Sequence, residues 1–265
     1  MDPFFYLIII AGAIAGGGTA YLGVFIVGMR MPFIGTCISH AAMAGTVLAV
    51  LTGINPTIGA AALSIASAVS LAALPPHRSR IDNNVGLAVL FSLMLGLTFL
   101  GIGLVNNQRS DLLGMLWGSL LFVQKDSVLM ISAGTLAMLI FSCLFSKELK
   151  LILFSREIAV TTGIHHCMVY CLFLALCGFI LSVNLKLIGG LMIFALTTNP
   201  AAAAYQICKG YRSVVAVSTL FGILSTVAGF LISYYFNLPT GASIVLVSTF
   251  IFALCAVINK VFSLQ

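Results

Sequence analysis

Met31 to Pro76 and Ser213 to Asn259 run for 46 and 47 residues without one Asp, Glu, Lys or Arg. No segment of that length and composition can form a water-facing surface. Globular chains devote about a quarter of their residues to charge, whereas this one is 7% charged and 61% hydrophobic, with a mean hydropathy of +1.19. A soluble enzyme, a disordered chain and a nucleic-acid binder are excluded. The expected fold is all-α: a polytopic membrane helix bundle in the lipid bilayer, with residues 1–265 forming a single transmembrane domain.

A bilayer core about 30 Å thick takes roughly 20 apolar helical residues to cross. Phe4 to Gly28 gives the first span. Its length, and Asp2 in place of a basic leader, read as a retained span rather than a cleaved signal. Gly53-Ile54-Asn55-Pro56 divides the first charge-free run into two spans, and Phe236 to Gly241 divides the last. Val85–Gln108, Ser127–Ser146, His166–Leu185 and Leu187–Cys208 supply the others. The total is nine, or eight if one short span is misread. Residues 110–123 are too short to cross and are expected to lie at the outer interface or to re-enter.

With nine spans and the N-terminus outside, Arg30, Arg78, Arg80, Lys147, Lys150, Arg156, Lys209, Arg212 and Lys260 fall on one side. Only Arg109, Lys125 and Lys186 fall on the other. Basic loops mark the cytoplasmic side, which places the C-terminus there. The same bias accounts for the formal charge of +6 without an acidic partner. The seven cysteines form no Cys-x-x-Cys pair and are read as small apolar packing residues. The 25 glycines cluster inside spans, where small residues let helices approach; Pro200 is the best candidate for a helix broken beside a transport path.

The chain has no Gly-x-x-x-x-Gly-Lys-Ser/Thr loop to cradle ATP. None of its six acidic residues lies within an apolar run, which argues against proton coupling through a buried carboxylate. His40 is the one ionisable side chain deep in a span. Such a group either hydrogen-bonds between helices or faces a polar path, and neutral imidazole is a common ligand of zinc and related metals. His77, His165 and His166 fall at the cytoplasmic boundary. Between Lys147 and His166, residues 154–164 fit a short helix that Ser155 caps and Gly163 ends; an interfacial loop fits the same composition.

Five blocks, in order along nearly the whole chain, carry a resemblance. They are Arg30-Met31-Pro32-Phe33-Ile34-Gly35 with Ser39-His40-Ala41-Ala42; Asp111-Leu112 with Leu116-Trp117-Gly118-Ser119-Leu120-Leu121; and Glu157-x-Ala159-x-x-x-Gly163. The last two are Lys186-Leu187-Ile188-Gly189-Gly190-Leu191 with Asn199-Pro200-Ala201-Ala202-Ala203-Ala204, and Leu238-Pro239-Thr240-Gly241-Ala242-Ser243-Ile244-Val245-Leu246. Together they resemble the permease subunit of bacterial ATP-binding-cassette importers for zinc and manganese (the ZnuB, MntB and TroC type).

The resemblance implies a permease homodimer in the bacterial or archaeal cytoplasmic (inner) membrane. Two cytoplasmic ABC ATPase subunits would bind ATP and magnesium, and an extracytoplasmic metal-binding protein would deliver the ion. The chain would not be an enzyme and would hold no cofactor of its own, and the divalent metal would be its substrate. His40, Thr36, Ser39 and Asn199 would line the translocation path. Ser155, Arg156, Glu157, Ala159 and Gly163 would belong to a coupling helix against the ATPase, and Asp111 and Pro239 to the outer gate or interface. One position departs from the family pattern: its Asp, four residues before the histidine, is Thr36 here. That leaves open a weaker site, compensation by another oxygen such as Asn199, or a changed cargo, including a metal chelate or small organic cofactor.

Overall fold

The computed structural model describes residues 3–72, 83–105, 125–154 and 166–262, together with Leu112, Gly114, Gly118 and Val123. These residues form ten helices and no strand. In chain order they are α1 (Pro3–Gly28), α2 (Phe33–Thr52), α3 (Pro56–Ala72), α4 (Asn83–Leu104), α5 (Lys125–Leu144), α6 (Ser146–Phe154), α7 (His166–Ile188), α8 (Gly190–Ile207), α9 (Tyr211–Phe236) and α10 (Thr240–Phe262).

The expected breaks occur, each with a local cause. Gly53 ends α2 in the left-handed conformation at φ 73°, its N–H bonded to the Ala49 and Val50 carbonyls. Asn55 Oδ1 then accepts the Thr57 N–H at 2.9 Å, and Pro56 opens α3 where its missing N–H costs nothing. At the other break Asn237 adopts φ 52°, and Ser233 Oγ donates to the Leu238 carbonyl at 2.6 Å. Gly189 alone, at φ 89°, separates α7 from α8.

Seven helices are long and apolar enough to cross a membrane: α1, α2, α4, α5, α7, α9 and α10. The chain is thus a multi-span helical membrane protein. The expected count of nine also includes α3 and α8, of 17 and 18 residues. The short α6 was not anticipated; it buries Leu149 and Ile152 and exposes Lys147 and Lys150, as suits a helix lying at an interface.

Small residues set the helix spacing, as the glycine clusters predict. Gly16 on α1 meets Gly222 on α9, and Gly45 on α2 meets Gly59 on α3, each pair so close that an added Cβ would strike backbone. Gly23 faces the Thr197 carbonyl in the same way, which seats α8 against α1. The buried core centres on α1, α2, α7 and α8, whereas α4, α5 and α10 leave most of their surface outward.

Candidate functional site

Three of the expected path residues share α2. Thr36 and His40 are one helical turn apart and lie on one face. His40 is 2% exposed, and among the described residues its Nδ1 has no hydrogen-bond partner. Thr36 Oγ1 is likewise buried and unpaired. An unmet buried polar atom costs about 1–3 kcal/mol, so two on one face mark a place suited to receive a ligand. Ser39 differs: its hydroxyl donates to the Thr36 carbonyl at 2.9 Å and to the Gly190 carbonyl at 3.3 Å. It fastens α2 to the first turn of α8.

Asn199 takes a separate place. Its Nδ2 donates to Ser248 Oγ at 3.1 Å and Thr249 Oγ1 at 3.0 Å, both on α10. The His40 ring packs instead on Phe91 of α4, with ring centroids 4.9 Å apart. Within one chain the two side chains thus have different partners. The reason lies in α8: Thr197 packs toward Gly23 of α1 and Gly35 of α2, and a residue two positions further on is turned about 200° away. Pro200, just beyond, sits inside α8 and leaves the Leu196 carbonyl without its helical donor.

Pro239 lies exposed in the α9–α10 turn, where its carbonyl accepts the Ser243 N–H at 3.1 Å. Asp111 and the five coupling residues, Ser155, Arg156, Glu157, Ala159 and Gly163, lie outside the described residues. The chain enters that segment directly from α6. Sequence reasoning missed Asn184, fully buried with both amide atoms unpaired among the described residues, and Ser248 and Thr249, whose adjacent hydroxyls in an apolar span were the available signal. Nothing in the sequence marks Phe91.

Among the described residues no three His, Cys, Asp or Glu side chains converge. The α2 face therefore offers a cation one imidazole nitrogen and one hydroxyl oxygen, both neutral.

Comparison with known proteins agrees with this architecture. Residues 1–259 match the model of the ABC 3 transport family. The zinc uptake system membrane protein ZnuB of Haemophilus influenzae is 29% identical over 237 residues, covering 89% of this chain and 90% of that protein. The manganese import system permease protein ScaB of Streptococcus gordonii is 31% identical over 245 residues, covering 92% and 86%. In the solved structure of PsaBC from Streptococcus pneumoniae in complex with Fab, a chain of 26% identity superposes with a TM-score of 0.84, over 96% of this chain and 91% of that one. With its helical core, its motifs in register and a family match over nearly its whole length, the chain belongs to the ABC 3 transport family.

Proposed function

We propose that this protein is the permease subunit of an ATP-driven importer of divalent transition-metal ions, with zinc and manganese as the cargo and iron as a further candidate. Two copies would enclose a central path, each with nine spans, the N-terminus outside and the C-terminus in the cytoplasm of a bacterial or archaeal cell. Closure of two partner ATPases on ATP would push on residues 154–164, and the push would enter the bundle through α6. An outer binding protein would hand the ion to the path.

The observation that carries this reading is the pair of unpaired polar atoms on one face of α2, Thr36 Oγ1 and His40 Nδ1. His40 would supply the nitrogen ligand and Thr36 an oxygen, while Ser39 holds the helix in place. Asn199 would line the path from α8. Relatives named for zinc and for manganese transport support a bare ion as cargo.

The test is whole-cell metal content in a strain lacking its own importers, with this permease expressed beside its ATPase and binding protein. One divalent metal is expected to rise, and His40→Ala to abolish the rise. A complex that assembles and hydrolyses ATP while no metal accumulates would exclude the reading and favour an organic or chelated cargo.

A further inference from the structure

His40 is covered by α4. That helix lies along α2 through Ala41, Ala44 and Met94, and Val47 meets Gly101 further up the same seam. Phe91 enters this seam from α4, its ring centred 4.9 Å from the imidazole and inclined at 84° to it. Aromatic rings prefer this edge-to-face arrangement, which is worth about 0.5–1.5 kcal/mol beyond the area buried.

A histidine that binds metal is ordinarily oriented by its second ring nitrogen. The N–H donates to a carboxylate, carbonyl or water, which fixes the tautomer and raises the basicity of the ligating nitrogen. The unpaired nitrogen of His40 is Nδ1, the one offered to the ion, and among the described residues no hydrogen bond orients the ring from its other side. Among the described residues the one directional contact on its ring is Phe91. Without it the imidazole could rotate in the space between α2 and α4.

We propose that Phe91 is the positioning residue of His40. Its ring sets the plane of the imidazole from a neighbouring helix and leaves the nitrogen basicity unraised, which yields an oriented but weak ligand. The proposal rests on the metal-import reading and deepens it: the cargo is an ion that a single neutral imidazole can hold briefly and release.

The test is titration of the purified permease–ATPase complex, without the binding protein, with zinc and separately with manganese, each followed by the shift in melting temperature. Phe91→Leu keeps an apolar cover but loses the flat ring, and is expected to raise the half-saturating metal concentration about tenfold. Phe91→Tyr should restore the wild-type value. Leu90→Ala, on the same helix, should lower the melting temperature of the metal-free complex without moving the midpoint of the titration. If Phe91→Leu does not assemble, Phe91→Met takes its place with the same expected shift.

A wild-type midpoint in Phe91→Leu, or an equal shift in Leu90→Ala, overturns the proposal while a dead His40→Ala leaves the metal-import reading standing. A His40→Ala complex that titrates like wild type removes both.

Discussion

The Ser39 hydroxyl reaches the Gly190 carbonyl at 3.3 Å, across 151 positions of sequence. This bond joins the helix that bears Thr36 and His40 to the first turn of α8, immediately after the Gly189 break. Ser39→Ala is expected to leave the bundle folded, because polar contacts between membrane helices average about 0.6 kcal/mol. The melting temperature of the complex should fall by a few degrees at most, and uptake should fall severalfold as the two helices lose register. Equal uptake by Ser39→Ala and wild type at matched membrane levels would show that the bond has no part in transport.

Thr36 offers the converse experiment. Thr36→Asp places a carboxylate one turn from His40, on the same helix face. A divalent ion gains a charged ligand, so the zinc titration of the purified complex should move to lower concentration by about tenfold or more. Release should slow for the same reason, and the maximal uptake rate should drop. Tighter binding with faster uptake would contradict the account of a site weakened in favour of release.

Close helix approach supplies a prediction about assembly. A Cβ at Gly222 would collide with the Gly16 carbonyl and with Ala20, so Gly222→Val must force α1 and α9 apart. Overpacking of this kind costs about 1–3 kcal/mol, and contact between small residues is the main source of helix association in lipid. Membrane levels of Gly222→Val should fall sharply. Gly96→Ala is the matched control, because Gly96 faces open space, and it should accumulate normally.

Coupling is tested by the pair Glu157→Ala and Gly163→Trp. The double variant should insert and reach normal membrane levels, yet lose ATP-driven uptake. Unchanged uptake would point to a channel that works without an ATPase.

How far the sequence could be read follows from the range of the forces involved. The helix breaks were legible because each is made locally. Gly53 and Asn237 take up positive φ, Pro56 starts a helix, and the residues that satisfy the exposed backbone lie within a few positions. The depth of His40 was legible too, because 46 residues without a charge leave it nowhere but within the membrane. The polar face at Thr36 and His40 follows from helical spacing alone.

What lies on the far side of each helix was not legible. In a soluble protein the apolar stripe marks the buried face. In lipid the surroundings are as apolar as the core, so the same composition covers every side and no stripe appears. The sequence offered Asn199 as a path residue without saying which helix it would meet, and in the fold its amide bonds Ser248 and Thr249 on α10. It gave no sign that Phe91 would lie on the imidazole, or that Asn184 would be buried unpaired. The sequence by itself determined that the chain is a helical membrane protein, where its charge-free runs break and which helices hold polar groups, because those are matters of local backbone chemistry and of transfer from water. Only the tertiary structure decided which faces meet, because helix rotation in a membrane is set by the fit of glycines, rings and hydroxyls between distant segments.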